Sequence, residues 1–140
     1  MENNTQREIS SQKSKMAYLV ILAALIILLA FISVLFLSVH LPFVAILIHI
    51  LFPVAVISLY KSSKKRGVPL KAPDAFIAGT IVLILAWIAI LLIGDIFGGG
   101  LVGSSTHLAL MASLFYTAII SIIAAITIAI LDSRSNRNFL

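Results

Sequence analysis

The stretch MAYLVILAALIILLAFISVLFLSVHLPFVAILIHILFPVAVISLY, Met16 to Tyr60, contains no lysine, arginine, aspartate or glutamate in 45 residues. As one helix it would run about 68 Å, roughly twice the ~30 Å hydrocarbon thickness of a bilayer. The run must therefore fold back on itself. The polar turn falls at SVHLP, Ser38 to Pro42, where Pro42 suits the first position of a new helix.

Two further apolar runs follow. DAFIAGTIVLILAWIAILLIGD, Asp74 to Asp95, carries charge only at its ends, and STHLALMASLFYTAIISIIAAITIAILD, Ser105 to Asp132, is long enough to span with tilt. IFGGGLVGSS between them breaks helix and forms a pliable loop. The expected fold is all-α: a single-domain, integral membrane four-helix bundle over residues 1–140. Its spans are placed at 16–38, 41–60, 74–94 and 106–131, with tails at 1–15 and 132–140. With 61% hydrophobic and only 11% charged residues, the chain lacks the polar side chains needed to cover a water-soluble domain of this size. The first span is too long for a signal h-region and has no small-residue cleavage site behind it, so it is read as retained. The absence of cysteine removes disulfides, thiolate metal sites and thiol redox chemistry.

The net charge of +5 is a matter of topology rather than of nucleic-acid binding. Arg7, Lys13 and Lys15 precede the first span; Lys61, Lys64, Lys65, Arg66 and Lys71 fill the middle loop; Arg134 and Arg137 follow the last. Four spans put all ten on one side, and the positive-inside rule then makes both termini cytoplasmic in a multi-pass protein of the cell membrane. The basic loop, Lys61 to Lys71, mainly sets orientation. Its functional alternative is contact with anionic lipid headgroups, each basic residue being worth about 1 kcal/mol near such a surface. No aromatic or glycine pattern accompanies the lysines, so no nucleic-acid partner is expected. The sequon at Asn3 lies on the cytoplasmic side and should stay unglycosylated.

Along the fourth span every fourth residue is small: Ser105, Ala109, Ser113, Thr117, Ser121, Ala125 and Ala129. Lipid supplies no hydrophobic drive for helix association, so small residues mark where backbones approach. A repeat of four outruns the helical 3.6, and the stripe turns about 40° at each step, so its two halves should meet different neighbours. Ala75 and Gly79 make a shorter version on the third span. Packing within one chain is the simpler use of this face, and docking of another subunit is the alternative.

Candidate chemistry is sparse. His49 sits near mid-depth and shares a helix face with Ala45 and Pro53. Pro53 frees the carbonyl of His49 and is expected to bend the helix there. Ser113, Tyr116 and Thr117 on the fourth span, and Trp87 on the third, lie at matching depth as partners. Intramembrane ionisable residues are functional candidates by default, but a neutral imidazole in one interhelical hydrogen bond is the simpler reading. At the opposite end His40, Asp95 and His107 could ligate a metal, yet their spacing is long and no metal is expected. No cofactor is expected either, since His49 has no histidine opposite it for bis-histidine haem.

Hydrolase, zinc-protease and phosphate-loop motifs are absent, so the chain is read as no enzyme on its own. Small multidrug exporters carry an acidic residue in their first helix, and this first helix has none. Small fluoride channels share only the glycines of GGGLVGSSTHLALM, and thiol-based quinone reductases need cysteines. In general shape the chain resembles the small helical accessory subunits of prokaryotic respiratory or monooxygenase complexes, a resemblance of architecture carried by no motif. It implies a non-catalytic subunit whose partners are the bilayer and other membrane subunits, held through the small-residue face. A small oligomeric channel or transporter using His49, Pro53 and Tyr116, in which the partner is a second copy, is the alternative. A haem-carrying electron-transfer subunit is the third reading.

Overall fold

The computed structural model describes the backbone of residues 2–38, 42–96 and 104–137, and the side chains of 5–36, 43, 46–47, 49–89, 92 and 111–137. Four helices account for nearly all of it: α1 (Glu2–Ser38), α2 (Pro42–Lys65), α3 (Ala72–Ile96) and α4 (Ser104–Arg137). Helix α2 opens on Pro42 and runs through Pro53 as one element. Both chain ends continue as helix beyond the expected spans. Glu2 to Lys15 extends α1, because ENNTQREISSQKSK contains no glycine or proline to stop it.

The turn between α2 and α3 is the best-specified local structure. Gly67 has φ +75°, a left-handed conformation that side chains with a Cβ rarely adopt. Its N–H donates to the Lys64 carbonyl at 3.0 Å, and the Val68 N–H donates to the Ser63 carbonyl at 3.1 Å. That pair of bonds is a Schellman cap on α2. Across the turn, Asp74 Oδ2 accepts from the Lys71 N–H at 2.6 Å, which is the reach-back half of a capping box for α3.

In the bundle, α1 and α4 form the short diagonal of a rhombus and each touches all three other helices. Helices α2 and α3 lie on opposite flanks and make no close approach to each other among the described residues. The core combines large side chains from α1, α2 and α4 (Leu22, Ile26, Phe52, Val56, Ile120, Ile128) with small ones from α3 and α4 (Ala75, Ala78, Ala124, Ala125). Gly79 marks a close contact between α3 and α4: a Cβ built there would lie 2.7 Å from the Cβ of Ser121 and closer still to its hydroxyl.

The outer girth is as apolar as the core. Val20, Phe31, Ile50, Val54, Leu92 and Phe115 are each more than half exposed. A continuous apolar surface of this kind is stable in hydrocarbon and aggregates in water. Three helices, α1, α3 and α4, contain described segments long and apolar enough to cross a membrane: Thr5–Phe36, Ala72–Ala89 and Met111–Arg137. This is the composition of a membrane protein.

Candidate functional site

The helix directions bring the N-terminal part of α1, the α2–α3 turn and the C-terminal part of α4 to one end of the bundle. Tyr18 Oη and Ser62 Oγ share a hydrogen bond at 3.0 Å, and Tyr60 Oη donates to Asp132 Oδ1 at 3.2 Å. Lys64 reaches Ser135 on α4. Lys15 Nζ lies 3.2 Å from Asp74 Oδ1, pairing a half-exposed ammonium with a buried carboxylate. All ten lysines and arginines belong to the segments gathered here, and this is the basic end. Lys61, Lys64, Lys65, Arg66 and Lys71 are all exposed on it.

The polar groups deeper in the bundle divide into two kinds. Hydroxyls on α4 turn back on their own helix: Thr117 Oγ1 donates to the Ser113 carbonyl and Ser121 Oγ to the Thr117 carbonyl, each at 2.7 Å. These side chains pack as small groups rather than as interhelical hydrogen-bond donors. Thr117, Ser121 and Ala125 are buried, Ser113 is half-buried and Ala129 is exposed, so the stripe passes from the interior to the surface near the basic end. Ser105 and Ala109 have side chains outside the described residues. Gly79 of α3 packs directly on Ser121, so the middle of the stripe is occupied within the chain.

The second kind is His49. Its Nε2 lies 3.2 Å from Ser33 Oγ, and Ser33 Oγ donates to the Leu29 carbonyl at 2.7 Å. Serine has one hydroxyl proton. With that proton directed at Leu29, the Ser33 oxygen is left to accept from the imidazole in any protonation state that presents an Nε2–H. The ring also lies 6.5 Å from that of Tyr116, tilted by 56°. His49, Ser33 and Tyr116 thus bring α1, α2 and α4 together at mid-depth, with Pro53 one turn away on α2 and half-buried. Trp87 is half exposed on α3, which makes no close approach to α2 among the described residues. Sequence reasoning sought the partner of His49 on α3 and α4, and the structure adds Ser33 of α1. His40 lies outside the described residues, as do the side chains of Asp95 and His107. Among the described residues no three histidine, aspartate or glutamate side chains converge as metal ligands.

Comparison with known proteins finds no matching family model, no matching curated protein and no matching solved structure.

Proposed function

We propose that the chain is a multi-pass protein of the cell membrane, all four helices crossing, with its basic end and both termini in the cytoplasm, and that it serves as a non-catalytic subunit of a larger membrane complex. The observation that carries this reading is the separation of charge from hydrocarbon. Ten basic residues gather at one end of a bundle whose sides are apolar all round. The interior supports a structural role as well. Every buried side-chain polar atom among the described residues has a hydrogen-bond partner, as in a closed packed core. Because α3 occupies the middle of the small-residue stripe, a partner subunit docks on other ground, and the outer faces of α2 and α3 are the open flanks.

A second reading is favoured by one specific observation, the His49–Ser33–Tyr116 group at mid-depth. In an oligomeric channel or transporter these side chains would line or gate a path. Mild-detergent extraction followed by mass spectrometry of the intact assembly separates the two. Unlike chains accompanying the protein support the subunit reading. A homo-oligomer that conducts or transports in liposomes overturns it.

A further inference from the structure

One groove at the basic end lies apart from both the core and the His49 group. It has a volume of about 480 Å³ and is lined by Arg7, Ser10, Ser11 and Ser14 of α1 and by Arg66, Gly67 and Val68 of the α2–α3 turn. The four α1 residues recur at spacings of three and four, which puts three hydroxyls and a guanidinium on one face of the helix. They meet the turn only because α1 continues as helix past Lys15. The Schellman cap on α2 presents Arg66 beside them. No carboxylate lines the groove, and neither arginine is in an ion pair among the described residues.

We propose that this groove binds a phosphate-bearing anion. Two guanidinium groups supply planar, permanently charged forks matched to phosphate oxygens. The serine hydroxyls supply neutral donors for the oxygens that remain. Depth defines the source to be tested. Ser14 lies two residues outside the apolar run that begins at Met16, at headgroup level, and Arg7 lies about 10 Å further out along the helix axis. A phosphomonoester lipid headgroup reaching up from the membrane and a free phosphate from the cytoplasm therefore share the same chemistry here. The proposal does not depend on whether the bundle is a subunit or a transporter.

The test uses the full chain in phosphatidylcholine nanodiscs at low salt. One arm adds inorganic phosphate or glycerol 3-phosphate; the other includes phosphatidic acid in the bilayer. Saturable binding is expected in at least one arm, and the arm that responds identifies the source. Arg7→Gln and Arg66→Gln are each expected to weaken it about fivefold. Lys61→Gln removes the same charge from the same end but outside the groove, and should change affinity less than about twofold. Ser10→Ala with Ser14→Ala, which alters no charge, should weaken binding about threefold and serves if an arginine variant fails to fold. Equal losses in Lys61→Gln and the arginine variants would reduce the effect to unlocalised surface charge and overturn the proposal. Unchanged affinity in the double serine variant, or no saturable binding in either arm, overturns it as well.

Discussion

Substituting Gly79 by alanine tests the α3–α4 contact directly. The added methyl would sit 2.7 Å from the Ser121 Cβ. Carbon pairs prefer about 3.5–4.0 Å, so the two helices must separate locally by about 1 Å. A gap of that size forfeits a quarter to a half of the dispersion energy of the contacts around it, and the neighbouring α3 residues Ala75, Ala78 and Val82 are all buried. Overpacking costs about 1–3 kcal/mol, and the better helix propensity of alanine returns up to ~1 kcal/mol. The expected net loss is about 1–2 kcal/mol. Ser121→Gly removes both crowding atoms and leaves only the backbone Cα, 4.0 Å from the new methyl, at ordinary contact distance. The double variant Gly79→Ala/Ser121→Gly should therefore recover most of the loss, giving a favourable coupling of about 1 kcal/mol. Reversible unfolding of the four proteins in mixed micelles measures that cycle. Additive effects of the two substitutions would mean that the helices do not meet at this pair, and the packing argument would fail.

Other perturbations give separate readings. His49→Gln retains a donor for Ser33 and should preserve assembly; the Ser33→Ala/His49→Ala cycle, in which each substitution removes the bond, should give a coupling of about 0.6 kcal/mol by unfolding. Loss of a transport or redox activity in His49→Gln, with assembly intact, would instead favour the channel or haem reading. Asp74→Ala removes both the cap on the Lys71 N–H and the Lys15 pair, and should cost about 2 kcal/mol in thermal unfolding, whereas Asp74→Asn retains an acceptor and should cost less. Gly67→Ala meets no atom within 4 Å, so its cost of about 1 kcal/mol should be purely conformational, and Gly67→Asn should be milder. A cysteine at exposed Lys65 should resist membrane-impermeant reagent added to intact cells, while one at Gly100 in the glycine-rich sequence between the third and fourth spans reacts; the reverse pattern would invert the proposed orientation.

The four helices were readable because charge and hydrocarbon are segregated along the chain, and Pro42 marks the start of one of them. The Ser33 partner of His49 was missed, although the sequence held a signal for it. Reflecting the first two spans about Leu41 sets Ser33 opposite His49, and it sets Tyr18 within two residues of Ser62. Ser33 is also the one hydroxyl-bearing residue between Tyr18 and Ser38. The α1–α4 diagonal was not readable. Lipid and core select the same side chains, so a helix such as α3 carries no polar face to show which way it points. Trp87 illustrates the difficulty: matched to His49 by depth, it faces outward. The groove at the basic end was hidden for a different reason. Hydropathy ends the first span near Met16, whereas the helix itself continues back to Glu2 and carries Arg7 to the turn.

The rhombic arrangement sets the order in which the protein can be completed during synthesis. Helices α1 and α4, the earliest and latest of these four to be synthesised, are partners across the short diagonal. After α2 ends at Lys65, a further 72 residues must be translated before α4 ends at Arg137. At about 5–20 residues per second that interval is roughly 4–14 s. For that time the side of α1 that later meets α4 is without its partner, and closure of the bundle waits on α4.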